Sequence, residues 1–220
     1  MNTARRLPLF AVALSISVVV VPRPGPAQTA AATCCTPITA TLTKTMLKVK
    51  VATLTVDVDS ATAARVQSVI GDAQSVSNSL SDSIAGAYMA ATSADATTEF
   101  THSVTASQFL GGQKDSFGQM VKAGLLTADE AATIEQDMEK QFAFLSDGGI
   151  NNGDKLMLTL RGDSVTTRFV TAAGVQRAEF SAVGKARRMA FVGEYFGSHS
   201  DFRKGLLQSA LESAIAARGK

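Results

Sequence analysis

The residues 151–200, NNGDKLMLTLRGDSVTTRFVTAAGVQRAEFSAVGKARRMAFVGEYFGSHS, decide how the chain folds. Gly153-Asp154 leads into the apolar run Lys155 to Leu160, which predicts a strand. Arg161-Gly162-Asp163 reads as a turn, Ser164 to Thr171 as a second strand, Ala173-Gly174 as another turn and Val175 to Phe180 as a third strand. The tract then runs without a linker into a helix through Phe191 to Phe196, closed by Gly197, and a final helix with Phe202, Leu206 and Leu207. The tripeptide Arg161-Gly162-Asp163 is explained by the backbone demands of a hairpin, with no need for a cell-adhesion role.

Upstream of this tract the pattern is mixed. Thr43 to Asp59 alternates and is rich in Val and Thr, which predicts a strand or bent hairpin. Leu47, Val49, Val51, Thr53 and Thr55 fall on one face, Lys48, Lys50, Ala52, Leu54 and Val56 on the other. Ser60 is the expected N-cap of a helix from Ala61 to Ile70, and a second helix is expected from about Ser75 to Met89, with Val76, Leu80, Ile84 and Tyr88 on one side. Thr97 to Thr105 reads as a half-buried edge strand. A helix opens at Ser107 and carries Phe109, Phe117, Met120 and Val121, interrupted at Gly111-Gly112 and closed at Gly124. Thr127-Ala128-Asp129-Glu130 has the form of a capping box and starts a further helix to about Leu145.

At the N-terminus, Arg5 and Arg6 precede an uncharged run of about 15 residues from Leu7 to Val21, followed by Pro22-Arg23-Pro24-Gly25-Pro26-Ala27. This is the pattern of a signal peptide over 1–27, shorter than the roughly 17 to 25 residues of a membrane span. It predicts a secreted or periplasmic protein with no stable membrane span after cleavage. Removing 1–27 takes three of the 21 basic side chains and none of the 19 acidic ones, leaving 18 and a net charge of −1. That balance argues against a nucleic-acid partner, because affinity for phosphates needs clustered Lys and Arg. Residues 28–42 read as a flexible segment and 43–220 as one domain large enough to bury a core.

The only cysteines are the neighbours Cys34 and Cys35. They cannot staple distant parts of the chain. A free thiol pair, a vicinal or intermolecular disulfide, and lipid or metal attachment remain open. With no other cysteine and only His102 and His199 available, no metal site or cofactor is expected. Glu99 with His102, and Ser198-His199-Ser200-Asp201, invite a hydrolase reading, but no Gly-x-Ser-x-Gly occurs; His199 fits the loop before the last helix. Asp147 to Asp154 lacks the spaced ligands of a calcium loop and reads as a turn. Lys185, Arg187 and Arg188 form a surface patch or a steering cluster for an anionic amphiphile.

In element order and spacing, from Thr43 to Ala217, the chain resembles the chalcone-isomerase-like family, and its exported bacterial branch in particular. The residues that carry the likeness are Leu47-Lys48-Val49-Lys50-Val51-Ala52-Thr53-Leu54, the helix pair around Phe109 to Phe142, and the Gly153-Asp154 strand start with the helices after it. The resemblance implies an α+β fold, a twisted antiparallel sheet covered by a layer of helices. It also implies that catalytic members use an arginine, a threonine, a tyrosine and an asparagine to hold a phenolate and stabilise an enolate. Here the arginine position falls near Leu42, the threonine at Lys50 or Val51, the tyrosine at Phe109 and the asparagine near Ser116. No catalytic residue is therefore assigned. The expectation is a non-catalytic protein holding a small apolar or amphipathic ligand such as a fatty acid, with Lys50, Phe109 and Met120 as ligand-binding residues. Two alternatives stand beside it: an intramolecular lyase of chalcone-isomerase type with Lys44, Lys48 or Lys50 replacing the arginine, and an envelope interaction protein acting through Cys34-Cys35.

Overall fold

The computed structural model describes residues 37–44 and 49–219, the side chains at 43, 44, 49 and 50 excepted. Six strands, β1 (Ile38–Lys44), β2 (Val49–Val58), β3 (Ser93–Phe100), β4 (Lys155–Arg161), β5 (Ser164–Val170) and β6 (Gln176–Val183), form one antiparallel sheet whose spatial order is their chain order. Six helices accompany them among the described residues: α1 (Ser60–Ile70), α2 (Asn78–Met89), α3 (Ala106–Lys122), α4 (Ala128–Gln141), α5 (Lys185–Phe196) and α6 (Arg203–Arg218).

Period-two alternation gives the sheet two unlike faces. Ala52, Leu54, Val56 and Val58 of β2, Ala94, Ala96, Thr98 and Phe100 of β3, and Val165, Thr167 and Phe169 of β5 are buried. Their neighbours on the other face are ion-paired across strands: Lys155 with Glu99 at 3.4 Å, Arg161 with Asp95 at 2.8 Å and Arg168 with Glu179 at 3.1 Å. Exposed pairs of this kind contribute little each, but they make that face wettable.

Three apolar clusters fill the helical side. The largest joins β1–β3 to α1, α2, α6 and the end of α5, with Tyr88 stacked on Phe196 at 4.5 Å between ring centres. A second, aromatic cluster gathers Phe100, Phe109, Phe142, Leu145, Ile150, Leu156 and Phe169. The third ties α3, α4 and α5 together through Phe117, Met120, Leu126, Ala131, Ile134 and Ala190. Gly193 lets α5 approach α3, since a Cβ there would stand 3.2 Å from the Met120 sulfur. Glycine at 205 does the same for α6 against β1, where a Cβ would lie 2.9 Å from that of Ala40. Beside that contact the Ser209 hydroxyl accepts the backbone N–H of Thr39 at 3.0 Å, a side chain of α6 standing in for a missing neighbour strand.

Several sequence expectations are corrected. The segment 28–42 is not flexible throughout, because residues 38–42 belong to β1; residues 28–36, and the signal-peptide reading of 1–27, lie outside the described residues. Asp59, not Ser60, caps α1 and accepts from Thr62 N–H at 2.8 Å, and α2 begins at Asn78 behind Ser77. The strand expected at 97–105 lies at Ser93–Phe100 and is interior, paired with β2 and β4. Gly111-Gly112 does not interrupt α3. The expected helix to Leu145 ends at Gln141 and tightens into a 3-10 turn, Ala143–Ser146.

Candidate functional site

Helix α3 is held at its start by a capping box in which Thr105 accepts from Gln108 N–H while Gln108 reaches back to Thr105 N–H; Thr127 and Glu130 do the same for α4. The short connection between them makes the helices antiparallel neighbours. Buried Phe109, Phe117 and Met120 set which way α3 faces. Its next stripe, Ser107, Leu110, Gly111 and Lys114, spaced three and four apart, is turned toward α4.

Between this stripe and Glu135, Met138 and Glu139 of α4 runs a cleft of about 320 Å³, with Gln113 and Phe117 completing its lining. That volume sits at the lower end of the range for small-molecule sites, roughly 300 to 1,000 Å³. A second void, of about 140 Å³, lies beside β1, β2, α1 and α6 and falls below that range. Gly111 adds no side chain to the cleft, and a Cβ built there meets nothing within 4 Å. At the rim Lys114 Nζ stands 3.8 Å from Glu135 Oε2.

Gln113 connects the cleft to a buried carboxyl. Glu194 of α5 accepts a 2.5 Å hydrogen bond from the Ser116 hydroxyl and a longer one, 3.4 Å, from the Gln113 amide. Burial pushes this carboxyl above the usual carboxylate range, and the two hydrogen bonds only partly offset it. The adjacent Tyr195 hydrogen-bonds Thr98 of β3, and its phenol is held well above its ordinary value by burial and by Glu194. His199, in the α5–α6 connection, has both ring nitrogens buried without a hydrogen-bond partner; burial lowers its pKa while Asp201 works in the opposite direction. Sequence reading missed Glu194, although a lone carboxylate inside Ala190 to Phe196 was a visible signal.

The residues singled out from sequence are only partly brought together. Phe109 and Met120 are both buried on α3 but in different clusters, Phe109 among the aromatic rings and Met120 against α4 and α5. Neither lines the cleft. The side chains of Lys44 and Lys50, and all of Lys48, lie outside the described residues, as do Cys34 and Cys35. Phe109 packs edge to face on Phe142, 5.1 Å between ring centres. Ser116 is the partner of Glu194. The basic cluster is occupied: Arg187 pairs with Asp137, and the Arg188 guanidinium donates to the carbonyls of Ala91 at 3.0 Å and Met89 at 3.2 Å. Asp154 is buried and accepts from Asn151 and Ala172 N–H groups, a turn as expected. Gly162 takes φ of 61° in the β4–β5 turn, which accounts for the glycine there. His102 is exposed. No cluster of three or more metal-ligating side chains occurs among the described residues, and no described helix is long and apolar enough to cross a membrane.

No protein-family model matches the chain, and no curated protein matches it. Among solved structures, the crystal structure of a fatty-acid binding protein from Arabidopsis thaliana is similar. Its TM-score is 0.54 at 15% identity, over 81% of this chain and 88% of that chain. At this identity the likeness establishes the fold, which is α+β and chalcone isomerase-like, an open antiparallel sheet with helices.

Proposed function

We propose that this is an exported, periplasmic or secreted, non-catalytic protein of chalcone isomerase-like fold, related to the exported bacterial branch, that holds a small apolar or amphipathic ligand of fatty-acid size. The observation that carries the reading is the α3–α4 cleft, where Leu110, Phe117 and Met138 supply apolar walls and Gly111 leaves the space unfilled. The fatty-acid binding of the Arabidopsis protein supports it by analogy of fold. Export rests on Arg5-Arg6 and the apolar run behind them.

An isomerase of chalcone type needs a proton-bearing group where Phe109 stands, and that ring carries no hydroxyl and is packed among Phe100 and Phe142. The non-catalytic reading is therefore the better supported one. Calorimetry with a series of fatty acids and matching n-alcohols tests it. Each buried methylene contributes about 0.8 kcal/mol, close to fourfold in affinity, until the cleft is full. The gain is expected to stop at medium chain length, because the volume is small. No binding by either series at any length would overturn the reading.

A further inference from the structure

The cleft has an uncompensated charge, and it is negative. Three charged side chains line it: Lys114 from α3, and Glu135 and Glu139 from α4. Lys114 is engaged with Glu135. Glu139 lies one turn beyond Glu135, on the same face of α4, and forms no ion pair among the described residues. Because the helices are antiparallel, the end of the α3 stripe opposite Glu139 is the N-terminal one, at Ser107. One end of the cleft therefore offers a carboxylate and a hydroxyl, both able to accept. The other end reaches Phe117 and the Gln113 amide, which is committed to Glu194.

Helix dipoles do not change this sign. The positive N-terminal end of α3 and the negative C-terminal end of α4 meet beside Ser107 and Glu139 and oppose one another. The side-chain carboxylate decides the local field. A carboxylate head placed there would face Glu139, while the one cation lining the cleft, Lys114, is already paired with Glu135. An ammonium carries three donors and no acceptor, which suits a carboxylate and a hydroxyl.

We propose that the ligand of this cleft is an amphiphile with a cationic amine or ammonium head, held at Glu139 and Ser107, with its chain running between Gly111 and Met138 toward Phe117. The proposal rests on the cleft being the binding site and turns its head-group preference away from the carboxylate.

Calorimetry at low ionic strength with decylamine, decanol and decanoate, each below its micelle-forming concentration, tests it. Decylamine should bind about fivefold tighter than decanoate, the scale set by a partly exposed charge pair, and added salt should narrow the gap. Glu139→Gln should abolish the amine's advantage over decanoate while leaving the thermal midpoint unchanged, since Glu139 is exposed. Gly111→Leu should block all three ligands without unfolding α3. Equal or tighter binding of decanoate, or an amine preference that survives Glu139→Gln, would overturn the head-group assignment alone. Failure of all three ligands, decanol included, would overturn the cleft as a binding site and the assignment with it.

Discussion

The Ser116 hydroxyl on α3 donates a 2.5 Å hydrogen bond to the carboxyl of Glu194 on α5, between the two helices that Phe117, Met120 and Ala190 also pack together. This joins two helices through a group that holds its proton more tightly folded than unfolded. Between its ordinary value of 4.5 and the higher folded value, the unfolded chain has released a proton that the folded protein keeps. Folding stability therefore falls as pH rises through that window. Glu194→Gln keeps an acceptor for Ser116 and cannot ionise. Thermal melts across pH should show a flatter alkaline side for the variant and a higher midpoint at neutral pH; an unchanged pH profile would count against a buried, protonated Glu194.

His199 works on the acid side. Its pKa is lowered by burial, so the folded state favours the neutral ring, and stability present above the ordinary value of 6.5 is lost as pH falls through the folded value. His199→Leu should reduce the loss of stability on acidification. Urea titrations at neutral and mildly acidic pH compare the two proteins directly.

Arg188 holds α5 against the end of α2 through two carbonyls, so Arg188→Ala should cost about 2 kcal/mol, within the roughly 1.5 to 3 expected of charged hydrogen bonds. Denaturant midpoints give the value. A variant as stable as the parent, with ligand association alone slowed, would restore a steering role to this arginine.

On α3, two positions two residues apart should behave oppositely. Phe109→Arg puts a charge into the aromatic cluster and should destabilise the fold by at least about 4 kcal/mol. Gly111→Ala should stabilise by about 1 kcal/mol, because it raises helix propensity at a position where the new methyl meets nothing. Chemical denaturation of both variants is the check.

The C-terminal tract was legible because its signals are local. Gly162 and Gly174 stand at turns between apolar runs, and the observed β4 and β5 match the expected strands within a residue. The Thr127–Glu130 box was equally plain, since its chemistry is contained in four residues. Strands β1 and β3 were not. Thr39, Ala40 and Thr41, and likewise Ala94, Ala96 and Thr98, are small, and their strand character comes from pairing and from helices packed closely on top, not from their own hydrophobicity. The cleft was hidden for a related reason. Its lining is a stripe adjacent to the buried one, and only the packing of α4 shows which stripe encloses space. Phe109 and Met120, expected to bind the ligand, are buried in two separate clusters.

The Thr39–Ser209 hydrogen bond and the seat of Gly205 on Ala40 bear on how the chain acquires its structure. Every strand of the sheet pairs with its neighbour in sequence, through tight turns at β4–β5 and β5–β6 and across the helix pairs α1–α2 and α3–α4 at β2–β3 and β3–β4. Its first edge is finished only by α6, 170 residues away along the chain. A loop of that length closes late, after the local contacts have formed. Until α6 docks, β1 presents an unpaired edge and the largest apolar cluster lacks Leu206, Leu207, Ala210 and Leu211. A partly synthesised chain thus lacks its last core layer, and completion of the final helix acts as the latch that commits it to the native state.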